Sequence, residues 1–151
     1  MPRVTRRRTI AAAPADVGAL VSDPYNLPRW WPRTQRVEGV EGVEGEGEGA
    51  QWTMVLGTAE GRGVRADFRR TGAIDGRRYA WEQQIPGTPF ERHLKAYAVE
   101  VGLEAEGDGT AVTLAVTQTL RGLSRLGGPM MRRGQGAVLD EALDGLERAL
   151  I

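Results

Sequence analysis

The sequence predicts an α+β fold in which a curved antiparallel sheet wraps around one long C-terminal helix. Two observations support this prediction. Pro129 to Ile151 carries apolar residues at the i, i+3, i+4, i+7 spacing of one helical face, and it is the only long amphipathic helix in the sequence. Between Ala50 and Leu120, apolar and polar residues alternate along short segments separated by turn residues, as in antiparallel strands with one covered face. We expect the space between sheet and helix to be available to a ligand.

The composition favours a single domain, residues 1–151, and excludes several kinds of site. A chain of 151 residues with 40% apolar content suits one hydrophobic core. The formal net charge of +0 gives no reason to expect nucleic acid as a partner. The absence of cysteine and the presence of one histidine exclude disulfides, thiolate nucleophiles and a multi-histidine metal site within one chain. We expect no metal and no other cofactor.

The sequence also bears on location. No apolar run is long enough to cross a bilayer, so stable membrane insertion is not expected. The basic start, MPRVTRRR, is followed by small residues at Ala11 to Ala13, but no apolar stretch lies between them as it would in a signal peptide. We therefore expect a cytoplasmic protein, and we make no prediction of its oligomeric state.

The first elements are a strand and a short helix. Arg3 to Ile10 alternates weakly and predicts a strand, whose arginines we interpret as a solvated face rather than an anion site. Ala13 to Ser22 predicts a short helix with proline near its start and an apolar face. Asp23-Pro24 should end that helix, because the residue before proline is disfavoured in the α region.

An aromatic segment follows, Tyr25 to Arg33, with the sequence YNLPRWWPR. Its two prolines stiffen the chain, and Trp30 and Trp31 supply large apolar rings with one N–H each. We interpret the segment as a plug that closes one end of the sheet. The alternative interpretation is a pocket wall or gate, and the two overlap because a plug at the mouth of a cavity also lines it.

The segment Glu38 to Gly49, EGVEGVEGEGEG, has low complexity. Glycine and like charges disfavour packing, so we expect a mobile loop in its second half. A calcium site is less favoured, because the carboxylates lack the spacing of an EF-hand.

The remaining strands are bounded by turn residues such as Asp75-Gly76, a strong hairpin signal. The expected strands begin with Gln35–Val43, which frays, and continue with Ala50–Leu56, Gly61–Ile74, Arg77–Ile85, Phe90–Ala105 and Ala111–Leu120.

On each strand, every second residue is mainly apolar, and we expect this set of residues to face the helix. Apolar walls with a few polar groups are the usual make-up of a small-molecule site, although bulky side chains that simply fill the core would give the same pattern. The expected ligand-binding residues are Trp31, Trp52, Met54, Phe68, Tyr79, Trp81, Gln83, Tyr97, Val116, Gln118, Met130, Met131 and Leu139.

Three residues are candidates for catalysis. His93 shares strand parity with Tyr97, and a histidine near neutral pKa beside a tyrosine could act as acid and base in an aldol cyclisation or a dehydration. Arg70 could hold an enolate or a carboxylate. His93 also lies close to a turn, where a solvent-exposed histidine is the other interpretation. The sequence shows no nucleophile–base triad, phosphate loop or dinucleotide fingerprint.

Three stretches resemble the START-like (SRPBCC) superfamily, in its polyketide cyclase/dehydrase branch. Ala13 to Glu38, APADVGALVSDPYNLPRWWPRTQRVE, resembles the opening of that branch. Glu104 to Leu114, EAEGDGTAVTL, resembles its late hairpin, and Gly136 to Leu150, GAVLDEALDGLERAL, its closing helix. The resemblance covers nearly the whole chain and implies the helix-grip (Bet v 1/START-like) fold, with a deep cavity for an apolar or aromatic molecule.

Three functional hypotheses follow from the resemblance and the pocket pattern. The first is a carrier or sensor that binds a hydrophobic or aromatic small molecule in the cavity. The second is a polyketide cyclase or dehydratase without metal or nucleotide cofactor, which requires His93, Tyr97 and Arg70 to converge. The third is a co-chaperone-like interaction module, which the burial of Trp30 and Trp31 would disfavour.

Overall fold

The computed structural model describes residues 3–45, 47–58, 61–122 and 127–151. Two one-turn 3-10 helices, Pro24–Asn26 and Pro89–Arg92, connect longer elements. The helices and strands are, in chain order, β1 (Arg3–Ile10), α1 (Pro14–Ser22), α2 (Leu27–Trp30), β2 (Thr34–Glu41), β3 (Gln51–Gly57), β4 (Gly63–Ile74), β5 (Arg78–Gln83), β6 (Leu94–Glu106), β7 (Gly109–Leu120) and α3 (Gly128–Leu150).

The strands form one seven-stranded antiparallel sheet in the order β1-β7-β6-β5-β4-β3-β2. Consecutive strands from β2 to β7 are neighbours in the sheet, and β1 pairs with β7 at the far edge. The α+β fold, with an antiparallel sheet covered by a C-terminal helix, is therefore confirmed.

The hydrophobic core lies between the concave face of the sheet and the three helices. Alternate residues of the strands point to this face, and the partners Val99 and Val116, on β6 and β7, are both nearly fully buried. Leu139, Leu143 and Leu146 of α3 complete the core at 1% exposure or less. The amphipathic pattern of the last stretch thus predicts the buried face of α3 correctly.

Two features set how closely α3 approaches its neighbours. A Cβ added to Gly145 would lie 2.5 Å from the carbonyl oxygen of Trp30, so only glycine permits this contact with α2. The opposite edge of α3 is tied to β1 by ion pairs, in which Arg6 binds Asp140 and Arg8 binds both Asp144 and Glu147. Arginines expected to form only a solvated strand face therefore also hold the helix on the sheet.

Element boundaries differ from the sequence-based expectation in one place that affects the site. The sixth strand begins at Leu94 rather than Phe90, because Pro89–Arg92 forms a 3-10 turn. The pairing of β6 with β7 also shifts in register between Leu94 and Ala96. An irregular register interrupts the period-2 alternation, so strand parity does not extend back to His93.

Candidate ligand-binding site

The centre of the concave face is filled by an aromatic cluster. All four tryptophans are buried, at 2% to 7% exposure, and they contact one another at ring-centroid distances from 5.5 Å for Trp30–Trp31 to 6.4 Å for Trp31–Trp81. Trp52 also stacks on Phe68 at 6.3 Å. This cluster closes the middle of the sheet, so the open space lies on either side of it.

An apolar cleft of about 710 Å³ opens at one end of the concave face. β5 ends at Gln83, and the chain continues through the 3-10 turn to the start of β6. These two segments bound the cleft together with residues of β4 and β7. The apolar residues are partly exposed, which leaves a hydrophobic surface in contact with the cleft. The cleft is lined by Val64, Arg65, Pro89, Phe90, His93, Leu94, Gln118 and Leu120.

A second cleft, of about 610 Å³, lies beside the hairpin that joins β4 to β5. Its walls are more polar and include the carboxylates of Asp23, just after α1, and of Asp75 in the hairpin. The second cleft is lined by Ser22, Asp23, Tyr25, Val40, Val43, Gly45, Arg70, Ala73, Asp75 and Tyr79.

The guanidinium of Arg70 organises one wall of the second cleft. Arg70 is 5% exposed, and its nitrogens donate to the carbonyl oxygens of Gly47 at 2.9 Å, Gly45 at 3.1 Å and Val43 at 3.4 Å. Gly45 and Gly47 have φ of 83° and 91°, a region that favours glycine. The glycine-rich loop expected to be mobile is thus tied, in its described part, to the sheet.

Three polar side chains, those of Gln83, Tyr97 and Gln118, form a row across the concave face next to Phe68. Gln83 lies opposite Phe68 across β4 and β5, and Tyr97 lies opposite Gln118 across β6 and β7. The rings of Phe68 and Tyr97 are 6.4 Å apart, which places the two pairs side by side. The Nε2 of Gln135, on α3, donates to the Oε1 of Gln118 at 2.8 Å and joins the row to the helix.

The Tyr97 hydroxyl is the titratable group of this row, and its pKa is shifted. Burial raises its pKa well above the ordinary tyrosine value, because removal from water disfavours the phenolate. The hydroxyl is therefore neutral throughout the physiological range and acts as a hydrogen-bonding group there rather than as a base.

The structure brings most of the expected ligand-binding residues together on the concave face. Gln83, Tyr97, Gln118 and Met131 are partly buried, and Gln118 lines the apolar cleft. Met130 is 80% exposed and does not face the interior as expected, because it lies in the first turn of α3 and on its outer side. The buried members are Trp31, Trp52, Met54, Phe68, Tyr79, Trp81, Val116 and Leu139.

The three catalytic candidates lie in different places. His93 is exposed and lines the apolar cleft, whereas Arg70 lines the second cleft. Tyr97 is partly buried, with its ring 6.4 Å from that of Phe68. None of the hydrogen bonds between described residues joins any two of these three side chains, so they do not form one catalytic group in this structure.

Sequence reasoning missed two contributors to the site. Gln135 lies in RRGQG, where the helical pattern is weak, and only its i+4 distance from the buried Leu139 indicates that it faces the sheet. Leu94 lies beside a turn and outside the alternating pattern, so no periodicity marks it as a lining residue.

Two features are absent from the described residues. No group of three or more histidine, aspartate or glutamate side chains in those ranges gathers as metal ligands. None of the helices there combines the length and the apolar character that crossing a membrane requires.

The fold and the family can be compared with known proteins. TTHA0849 from Thermus thermophilus is 25% identical, with a TM-score of 0.72, and the match covers 99% of this chain and 97% of that protein. A START superfamily protein from Mycobacterium smegmatis is 15% identical, with a TM-score of 0.77 and coverage of 98% and 96%. No curated protein sequence matches the chain.

A third solved structure has two domains of this kind in one chain. The di-domain ARO/CYC StfQ from the steffimycin biosynthetic pathway is 16% identical, with a TM-score of 0.77, and the match covers 98% of this chain and 50% of StfQ. The family model described as "Polyketide cyclase / dehydrase and lipid transport" matches residues 1–150. The chain therefore belongs to the polyketide cyclase/dehydrase and lipid transport family, within the START-like fold.

Proposed function

We propose that this protein binds a hydrophobic or aromatic small molecule as a carrier or sensor, and that the ligand occupies the apolar cleft next to Gln118. The observation that carries the proposal is the cleft itself, which is predominantly hydrophobic and opens between the ends of the strands and the 3-10 turn. Its volume of about 710 Å³ lies within the range of small-molecule sites. Each buried CH₂ of a ligand would contribute roughly 0.8 kcal/mol.

The distribution of polar groups supports binding over turnover. A cyclase or dehydratase of the expected kind needs an acid, a base and an enolate-stabilising cation around one substrate. Arg70 already donates to three backbone carbonyls at the other cleft. The ionisable side chains among the described residues that line the apolar cleft are His93 and Arg65, and Arg65 is paired with Glu38 at 2.6 Å. The cleft therefore does not bring together all three groups that such a reaction needs.

The second candidate function is a cyclase or dehydratase that relies on His93 alone, because His93 and Arg70 lie at different clefts and the expected convergence with Tyr97 does not occur. His93 lines the apolar cleft, so an imidazole, which can donate or accept a proton, would stand beside a bound substrate. The similarity to the di-domain ARO/CYC proteins fits the same idea at the level of fold. His93→Gln separates the two functions: loss of turnover of an aromatic polyketide with unchanged binding would favour the enzyme.

A co-chaperone-like interaction module receives less support. Trp30 and Trp31 are 2% and 7% exposed, so neither ring is available at the surface. Among the described residues, the exposed large apolar side chains are scattered over several elements: Tyr25, Val64, Ile74, Met130 and Ile151. Such scattered residues are ordinary for a protein surface.

A charge placed in the cleft tests the binding site. Val64→Glu puts a carboxylate beside the bound ligand, and we expect the affinity for Nile red, measured by fluorescence titration, to fall about tenfold or more, roughly 1.4 kcal/mol. Ile74→Glu is the matched control, because Ile74 is also on β4 and exposed (49%, against 37% for Val64) but does not line the cleft. Equal effects of the two substitutions would contradict the proposed site.

Native mass spectrometry of the purified protein, followed by denaturing extraction, would identify the ligand class. A stoichiometric apolar adduct that is lost from Val64→Glu and retained by Ile74→Glu would support a carrier. The proposed function would be contradicted if the purified protein carries no adduct and gains no thermal stability from lipids or aromatic polyketides.

A further inference from the structure

Four segments of the chain meet at the end of the molecule that carries the apolar cleft. We call this region the cleft end, and its segments are 61–65, 89–95, 120–122 and 127–135. The N–H of Arg121 donates to the carbonyl of His93 at 2.8 Å, which holds the end of β7 beside the 3-10 turn. The first turns of α3 lie next to the cleft as well, because Gln135 donates to Gln118, a lining residue, at 2.8 Å.

The cleft end is strongly basic, although the formal net charge of the whole chain is +0. Its four segments contain seven lysine and arginine residues against one acidic residue, Glu91. That carboxylate already accepts the N–H of Gly87 at 2.8 Å. The compensating acidic residues therefore lie elsewhere in the molecule. The basic residues are Arg62, Arg65, Arg92, Lys95, Arg121, Arg132 and Arg133.

Most of these cations have no carboxylate partner. All of them are exposed, and among the described residues only Arg65 forms an ion pair, with Glu38. Arg7 and Arg69, by contrast, are matched on neighbouring strands by Glu106 and Glu82, each at 2.9 Å. Like charges that the fold does not compensate repel one another, and an anionic partner would relieve that repulsion.

Exposed apolar side chains lie among the same cations. Met130 is 80% exposed in the first turn of α3 and precedes Arg132 by two residues. Val64 is 37% exposed at the start of β4, and Phe90 is partly exposed in the 3-10 turn. Phosphates of a nucleic acid would pair with the arginines and leave Met130 in water. An anionic bilayer offers charged headgroups for the cations and an acyl boundary for the apolar side chains.

We propose that the cleft end docks on the surface of an anionic lipid bilayer. The arginines contact the headgroups, and Met130 and Phe90 reach the boundary with the acyl chains. Such docking is peripheral and reversible, and it requires no helix that crosses the bilayer. The inference goes beyond the proposed function and does not depend on it, because the bilayer contacts the rim of the cleft rather than an occupant of its interior.

The first experiment is co-sedimentation of the full chain with vesicles of equal parts phosphatidylglycerol and phosphatidylcholine, beside vesicles of phosphatidylcholine alone. We expect wild-type protein to bind the anionic vesicles about tenfold or more tightly, because each Lys or Arg at an anionic surface contributes about fivefold. In about 1 M NaCl this preference should disappear, because the Debye length falls to about 3 Å. Equal binding to both kinds of vesicle at low salt would overturn the inference.

Charge reversal locates the docking surface. Arg132→Glu/Arg133→Glu should weaken binding to the anionic vesicles about tenfold or more. Arg77→Glu/Arg148→Glu is the matched control with the same change in net charge, and its effect should stay below about threefold. Arg77 lies in the hairpin between β4 and β5 and Arg148 in the last turn of α3, and both are exposed. Equal effects of the two double variants would contradict docking through the cleft end.

A soluble polyanion distinguishes a bilayer from other anionic partners. Met130→Ser should weaken vesicle binding about threefold or more and leave binding to heparin unchanged, because only the bilayer buries the side chain. If Met130→Ser changes neither, and Arg132→Glu/Arg133→Glu weakens both alike, the cleft end is a general polyanion site and the inference is overturned. If that double variant loses its far-UV circular dichroism, Arg92→Glu/Lys95→Glu takes its place with the same expected result.

The outcome is separate from that of the proposed function, which is tested with Nile red in the absence of vesicles. Nile red binding by wild-type protein without a preference for anionic vesicles would overturn the inference alone. Vesicle binding that meets the expectations above, by a protein that binds neither Nile red nor any apolar adduct, would overturn the proposed function and support the inference.

Discussion

Arg70 illustrates how one side chain links a low-complexity loop to the sheet. Its guanidinium lies on the concave side of β4 and donates to carbonyls of the loop between β2 and β3. The same loop is fixed by the N–H of Gly47, which donates to the carbonyl of Ala73 at 3.0 Å. A cation that donates to three loop carbonyls is thus a structural clamp on one wall of the second cleft.

The clamp predicts the effect of Arg70→Met. The substitution removes three hydrogen bonds from a charged donor and should lower the free energy of unfolding by about 1–3 kcal/mol in urea titrations. Hydrogen exchange at the Gly47 amide should accelerate, since the loop loses its anchor. Arg69→Met is the control: Arg69 forms an exposed ion pair with Glu82, worth about 1 kcal/mol or less. Unchanged exchange at Gly47 would contradict the clamp.

A second prediction at the residue scale concerns Tyr97, whose raised pKa makes the free energy of unfolding depend on pH in the alkaline range. Burial raises the pKa of its hydroxyl above the value of about 10 in the unfolded chain, so the neutral phenol stabilises the fold fully below pH 10. That contribution is lost as the pH rises above 10 toward the folded-state pKa. Wild-type protein should therefore lose roughly 1 kcal/mol more than Tyr97→Phe between pH 10 and 11, measured by urea unfolding. Tyr25→Phe is the control, since Tyr25 is 56% exposed, and identical slopes for wild type and Tyr97→Phe would contradict the prediction.

At the scale of elements, the position of α3 depends on a glycine that packs against backbone. A Cβ on Gly145 would meet the Cα of Trp30 at 2.7 Å and its carbonyl oxygen at 2.5 Å, and backbone atoms have little freedom to move. Gly134, on the same helix, has nothing within 4 Å of the added Cβ. The two glycines therefore have opposite roles within one helix.

Gly145→Ala should destabilise the protein and Gly134→Ala should stabilise it. The first forces α2 and α3 apart, at a cost of about 1–3 kcal/mol. The second replaces a poor helix former at an open position and should add up to about 1 kcal/mol. Thermal unfolding of both variants beside wild type measures the difference, and an equal shift for both would show that helix propensity rather than packing controls α3.

The secondary-structure elements show which features the sequence could predict and which it could not. Ala66, Phe68 and Arg70 are buried as the alternation of β4 predicts, because a strand with one covered face keeps period 2. The same rule gives His93 the strand parity of Tyr97, but the 3-10 turn before β6 removes the regular geometry on which the rule depends. Local pattern thus predicts elements and faces, but not the irregular joints between them.

Contacts that depend on tertiary structure are the other part that the sequence does not predict. Nothing in the composition of a Glu/Gly-rich loop indicates that its carbonyls surround Arg70. Likewise, the pairing of Gln135 with Gln118 joins residues 17 positions apart through the packing of α3 on β7. The concave face was therefore predictable as a surface, whereas the two clefts on it were not.

At the scale of the whole molecule, the tryptophan cluster joins the parts of the fold. Trp30 comes from α2, Trp52 from β3 and Trp81 from β5, with Trp30 and Trp52 each in ring contact with Trp81. Gly145 of α3 packs directly on Trp30. Tryptophan fluorescence should consequently report the unfolding of the sheet and the helix together.

This arrangement predicts one cooperative unfolding transition, which Leu146→Ala tests. Leu146 is fully buried on α3, so its truncation should cost about 2–5 kcal/mol. In a two-state protein the urea midpoints from tryptophan fluorescence and far-UV circular dichroism move by the same amount. Leu150→Ala, at the partly buried last residue of α3, should move both midpoints less. A lower midpoint by circular dichroism alone would mean that α3 unfolds before the sheet, and the helix would then be a detachable cover of the cavity rather than part of one core.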